Sequence, residues 1–205
     1  MTICSPGNFV VDPHSKLEKS NQQSEKELPY REAVGSLMHV AIVSRPDIMF
    51  AVSLVSRFLN CYNETHWTVV KKIMKYLKGT VNYGLCYQKS SPELSELTGY
   101  SDADYGNDIA TRRSTTGYLF VKNGAAVTWS SQHQYSVALS TTEAEFMAAC
   151  AATKEAILIK QLLCDLGEFN QQPVCIHIDN QSAISVIKNI NFHKRCKHID
   201  TKYHF

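Results

Sequence analysis

Three short acidic segments carry the side chains in this 205-residue chain best suited to chemistry. Tyr100-Ser101-Asp102-Ala103-Asp104-Tyr105 reads as a strand, and alternation puts Tyr100, Asp102 and Asp104 on one face. Ser140-Thr141-Thr142-Glu143-Ala144-Glu145-Phe146-Met147-Ala148 reads as a helix start carrying two glutamates. Ile176-His177-Ile178-Asp179-Asn180 reads as a buried strand that ends in an aspartate. One carboxylate from each would make an all-oxygen site. Hard divalent cations such as Mg²⁺ or Mn²⁺ take such ligands. Two of them about 3.5–4 Å apart can clamp the attacking and leaving oxygens of phosphodiester hydrolysis.

The spacing ranks the acids within each segment. Ser140 and Glu143 have capping-box spacing, so Glu143 has a structural task at the helix start. Glu145 lies beyond that position and shares a helix face with Ala149, Ala152, Ala156 and Leu163. Small residues there let the helix approach a sheet closely, which carries Glu145 towards the strand acids. Asp179 stands at the carboxyl end of a strand, where open α/β sheets place their sites. Its alternative is to cap the helix that follows. The candidate ligands are therefore Asp102, Glu145 and Asp179.

These acids need elements to hold them. Leu97 to Tyr105 is the expected first strand. Gly117 to Val121 and Ala125 to Ser130 form a hairpin around Lys122-Asn123-Gly124, because Asn-Gly favours a tight turn. Ser140 to about Leu166 is a long helix ended by Gly167, followed by a strand from Val174 to Asp179 and a helix from Asn180 to Lys188. Arg112 and Arg113, in the loop before the hairpin, suit phosphate contact and ordinary solvation equally well.

Upstream the pattern is helical. Pro29 to Val43 reads as a helix with Pro29 in its first turn, broken by Arg45-Pro46. A second helix from about Pro46 carries the apolar stripe Ile48, Ala51, Val52, Val55 and Leu59. A third, Thr65 to Lys78, turns Trp67, Val70, Ile73, Met74 and Leu77 inward, with Gly79 as a left-handed terminator. Lys71, Lys75 and Lys78 share its outer face with Lys72 beside them: either a solvated face or one that neutralises phosphates along a duplex. Tyr83 to Gln88 reads as a short strand. The polar residues 1–28 read as a flexible lead-in, 29–90 as a helical segment and 91–205 as the part bearing the acids, with Lys89-Ser90-Ser91-Pro92-Glu93 at the boundary. Near the end, His193, His198 and His204 lack zinc-site spacing and, with Lys194, Arg195 and Lys197, read as a basic helix near a substrate groove.

Composition sets the frame. With 44% hydrophobic residues the chain can bury a core. A formal charge of +2 means that any nucleic-acid footprint is local rather than global. The seven cysteines show no Cys-x-x-Cys spacing and no pairing with histidine, which suits a reducing compartment better than a disulfide scaffold. No apolar run approaches the roughly 18 residues of a membrane span, and no secretory leader is visible at the start.

The order and spelling of these segments resemble the ribonuclease H region of Ty1/Copia-type retrotransposon Pol polyproteins. Tyr30-Arg31-Glu32-Ala33-Val34-Gly35-Ser36-Leu37-Met38, Ser44-Arg45-Pro46-Asp47-Ile48, the run from Trp67 to Thr80, the three acidic segments and the closing Tyr203-His204-Phe205 carry the likeness, which covers most of the chain. Glu145-Phe146-Met147-Ala148 matches the family's helix acid. The resemblance implies an α/β fold: a ribonuclease H-like mixed sheet with flanking helices, preceded by a small helical connection segment of the reverse transcriptase. It implies an intracellular nuclease, in cytoplasm or nucleus, that uses Asp102, Glu145, Asp179 and Mg²⁺ or Mn²⁺ to cut RNA in an RNA–DNA hybrid. It also favours the phosphate-tracking reading of the lysine face. Two departures stand out. There is no Tyr-x-Asp-Asp loop, so polymerisation is not expected. After Asp179 the pattern lacks the family's fifth strand and the fourth carboxylate beyond it, and the surroundings of Asp200 match the segment before that strand. An uncovered sheet edge and a weakened metal position are the expected consequences. The alternative is an inert transposon remnant recruited as a binding protein. Copia-like fragments also occur among predicted secreted effectors of oomycetes, delivered into a host cell to meet a host protein. The nearest match to their Arg-x-Leu-Arg motif is Arg57-Phe58-Leu59-Asn60, which lacks the last arginine.

Overall fold

Apolar residues at helical spacing build the first of two units, Met1–Leu85, and apolar residues alternating along strands build the second, Cys86–Phe205. The computed structural model describes residues 17–18, 27–88, 96–168 and 172–189.

In the first unit, α1 (Tyr30–Val43) leads through a short 3₁₀ turn (Pro46–Ile48) to α2 (Met49–Ser56) and then to α3 (Glu64–Gly79). Ile48, Ala51, Val52 and Val55 are buried together with Tyr30, Val34, Leu37, Val70 and Ile73. The Tyr30 hydroxyl donates to the Val55 carbonyl at 2.8 Å. Pro29 is not in the first turn of α1 but caps it: its ψ of 53° is not helical, and only its carbonyl joins the helix by accepting from the Ala33 N–H. The start of α3 is a reciprocal cap. Asn63 Oδ1 accepts from the N–H groups of Thr65 and His66, and the His66 ring nitrogen accepts from the Asn63 N–H.

Gly79 is not a left-handed terminator. It stays in the helix, which ends at Thr80 with φ −122°. The physical reason is Arg45, whose guanidinium donates to the Thr80 carbonyl at 3.1 Å and to its hydroxyl at 2.6 Å. The end of α3 is thereby partnered without a glycine turn. The same guanidinium grips Asp47 through two nitrogens at 2.9 and 2.7 Å, and the Tyr76 hydroxyl donates to Asp47 at 2.9 Å. Ser44-Arg45-Pro46-Asp47 and the run ending at Thr80 are thus two halves of one network.

Residues 83–88 form no strand, contrary to the sequence expectation. The Tyr83 N–H bonds back to the Thr80 carbonyl at 3.0 Å and the Gln88 N–H bonds the Asn123 carbonyl at 2.9 Å, in place of a ladder. Gly84 interrupts a segment that is otherwise suited to pairing.

The second unit is a mixed sheet of four strands among the described residues. β1 (Thr98–Asp104), β2 (Thr115–Lys122), β3 (Ala125–His133) and β4 (Cys175–Ile178) lie in the order β3-β2-β1-β4, with β1 antiparallel to β2 and parallel to β4. This is the expected α/β class, a ribonuclease H-like mixed sheet flanked by helices. Asn123 (φ 56°) and Gly124 (φ 81°) both take positive φ, the turn that suits the twist of the β2–β3 hairpin. α4 (Thr141–Asp165) lies on the sheet through Ala152 and Ala156, which pack with Leu97 and Phe120. A Cβ on Gly99 would stand 2.5 Å from the Phe120 ring, so the packing there requires glycine. Gly167 ends α4 with φ 72°, and its N–H and that of Glu168 bond back to Cys164 and Leu163. α5 (Gln181–Lys188) packs beside α4. Among the described residues no helix is long and apolar enough to cross a membrane.

Candidate metal centre

Asp102 stands on β1, exposed, opposite Gly117 of β2. Glu145 is placed by the start of α4. The Ser140 hydroxyl accepts from the Glu143 N–H at 3.1 Å, and the Glu143 carboxylate accepts from the Leu139 N–H at 2.7 Å. That carboxylate reaches one residue further back than a capping box requires, and through this bond it helps to hold the helix start. Glu145 faces the sheet instead, where its Oε1 accepts from the Ala103 N–H at 3.3 Å. Asp179 follows β4 directly. Because β4 runs parallel to β1, both strands finish at the same end of the sheet. Asp179 does not cap α5, since Asn180 does so by accepting from the Ala183 N–H at 2.9 Å. One oxygen from each of Asp102, Glu145 and Asp179 lies within 4.8 Å of the others.

The electrostatics of this cluster are unfavourable when it is empty. Glu145 is 7% exposed, and its Oε2 is buried without a hydrogen-bond partner. Burial, then the negative charge of Asp102, push its carboxyl up to about 7; the Ala103 N–H opposes this and Asp179 adds to it. A buried carboxylate held beside two others is stabilised by a proton or by a cation. The donor set is oxygen only, with one oxygen lacking a partner, and so it fits a hard divalent ion of the Mg²⁺ or Mn²⁺ class.

Other candidates are placed elsewhere. Lys71, Lys72 and Lys75 are exposed on α3 and Lys78 is half-buried, all in the first unit. Arg112 is exposed and Arg113 half-buried in the β1–β2 loop, where Arg112 takes φ 56° and its N–H bonds the Asp108 carbonyl. His193, His198, His204, Asp200 and the basic segment around them lie outside the described residues. Contrary to the sequence expectation, one cysteine does pair with histidine. Cys175 Sγ is 3.8 Å from His177 Nε2, and the imidazole stacks on Tyr100. The signal was present in the sequence as strand periodicity, since residues two apart on β4 share a face.

Comparison with known proteins adds an independent line. The chain is 47% identical over 193 residues to the retrovirus-related Pol polyprotein from transposon TNT 1-94 of Nicotiana tabacum, covering 94% of this chain and 14% of that one. It is 39% identical to the corresponding polyprotein from transposon RE1 of Arabidopsis thaliana, across 100% of this chain and 14% of the other. It is also 46% identical over 132 residues to secreted RxLR effector protein 161 of Plasmopara viticola, covering 64% of this chain and 92% of that protein. The chain thus spans about one seventh of the polyproteins and nearly all of the effector. No family model and no solved structure matches it.

Proposed function

The chain belongs to the Copia-type retrotransposon Pol polyproteins, and from that footing we propose that its second unit is a metal-dependent ribonuclease H acting on the RNA strand of RNA–DNA hybrids. One observation carries the reading: three carboxylates from β1, α4 and the end of β4 converge within 4.8 Å around a buried, unpartnered oxygen. Asp102 and Asp179 present exposed carboxylates that can meet a phosphodiester from solvent. Glu145 is the buried anchor. Its bond from the Ala103 N–H fixes one oxygen and leaves the other for a cation. When bound, a divalent ion supplies charge neutralisation at the reacting phosphate and activates water for attack. The 2′-hydroxyl and the groove shape of the hybrid would mark the RNA strand. In this reading Lys71, Lys72, Lys75 and Lys78 with Arg112 and Arg113 contribute phosphate contacts, and the protein works inside the cell.

The test is cleavage of a labelled RNA–DNA hybrid with Mg²⁺, with Mn²⁺ and with chelator. Metal-dependent cutting of the RNA strand that is lost in Asp102→Asn is the expected result. Absence of cutting by a sample with cooperative thermal unfolding retires the nuclease reading. A second reading has its own support in the similarity that spans 92% of a secreted effector. In that reading the same fold, without catalysis, serves as a delivered binding protein with a host protein as partner.

A further inference from the structure

We infer that Cys175 and His177 form a second cation site, for a thiophilic ion such as Zn²⁺, on the exposed face of β4. Both side chains are exposed, and β4 pairs only with β1 among the described residues. Cys175 Sγ and His177 Nε2 are 3.8 Å apart. A tetrahedral zinc ion with Zn–S of about 2.3 Å and Zn–N of about 2.0–2.1 Å spans a sulfur and a nitrogen roughly 3.5–3.6 Å apart. The observed separation is within a small side-chain rotation of that span, and solvent fills the remaining coordination positions.

The imidazole is held in place before any ion arrives. His177 is the register partner of Tyr100 on β1, and the two rings stack with centroids 5.1 Å apart and planes 22° apart. A histidine whose ring is oriented by a stacked neighbour loses less freedom on ligation. The chemistry also separates this pair from the carboxylate cluster. Sulfur with imidazole selects zinc-like ions, whereas Asp102, Glu145 and Asp179 offer only oxygen, which suits Mg²⁺. The inference stands whether or not the chain is a nuclease.

Titration of the full chain with Co²⁺ under a thiol-free reductant, followed by the thiolate-to-cobalt charge-transfer band, reads the site. The band is expected to saturate in the native chain and to vanish in Cys175→Ser. Apparent affinity should fall at least about tenfold in His177→Ala and by a smaller factor in Tyr100→Leu. Cys86→Ser, which removes another exposed thiol, should leave the band intact, as should Asp102→Asn and a large excess of Mg²⁺. A band that survives Cys175→Ser overturns the proposal by placing the thiolate elsewhere among the seven cysteines. Equal affinity in His177→Ala overturns it as a lone thiolate. The 3.8 Å contact is only a thiol–imidazole hydrogen bond if no band forms in a chain with a native near-ultraviolet circular dichroism spectrum.

Discussion

Arg45 in the first unit and Glu145 in the second are both buried charged side chains, and the two are treated in opposite ways. In the first, Arg45 is 6% exposed and every part of its environment answers it: Asp47, Thr80 and the faces of Tyr76 and Tyr83, with the guanidinium 5.6 and 6.0 Å from the two ring centres. Burial alone would push the Asp47 carboxyl up, but hydrogen bonds from Arg45 and Tyr76 outweigh it and hold it below the usual range. In the second unit, Glu145 is just as buried, receives one backbone N–H, and faces two more acids. A closed network of paired charges holds a chain turn and a helix end together. A carboxylate that the fold keeps buried beside two other acids is stabilised by a proton or by a cation.

The largest expected break of this contrast is Arg45→Ala. It strands Asp47 and unties the end of α3, and should lower the stability of the first unit by about 3 kcal/mol in urea denaturation. Asp47 is one-third exposed, so water recovers part of what a fully enclosed pair would lose. No measurable loss would show that the network is ornamental.

Glu145→Gln should act in the other direction. The folded carboxyl titrates near 7 against an ordinary 4.5, so the native state holds an extra proton between those values. Its contribution to stability is full below about pH 4.5 and is lost as pH rises to about 7. With chelator at pH 8, the glutamine variant should therefore be more stable by roughly 2 kcal/mol. A destabilised variant under those conditions would contradict the account of the cluster. Asp47 carries the opposite sign: its support is present above the ordinary aspartate range and fades as pH falls. In thermal melts the advantage of Glu145→Gln should grow as pH rises from about 4.5 to about 7, whereas the deficit of Asp47→Asn should stay constant through that range and shrink only as pH falls below about 3.8.

Metal binding should follow the proton on Glu145. As pH falls through about 7, Mn²⁺ affinity should weaken, approaching tenfold per pH unit for one displaced proton. Calorimetric titration at several pH values checks this, and a flat profile would remove Glu145 from the ligand set. The smallest effect belongs to Ser140→Ala. Loss of the cap on α4 should cost about 1 kcal/mol, and would loosen Glu145 enough to weaken Mn²⁺ binding slightly in the same titration.

Much of this arrangement was legible in residue types and spacing. Alternation placed Asp102 outward, the cap at Ser140 separated Glu143 from Glu145, and Asn123-Gly124 announced the hairpin turn. Asn180, next to Asp179, took the capping task and freed the aspartate. The errors have separate causes. Gly79 was expected to end α3 by itself, but Arg45 reaches Thr80 across 35 positions of sequence. The expected strand at 83–88 ignored the local interruption at Gly84. Cysteine spacing in the zinc-finger style missed Cys175 and His177, because a strand rather than a loop brings them together.

The chain by itself determined what depends on neighbours within a few residues: which faces are apolar, where helices start, and where the chain turns. Those features are set by bond geometry and by hydrogen bonds that close over three or four positions. Only the tertiary structure decided the state of the acids. The Ala103 N–H reaches Glu145 across 42 positions, and the burial and like charges that push its carboxyl up exist only once α4 lies on the sheet. Charge interactions depend on distance and solvent exposure in space, and neither is a property of position along the chain.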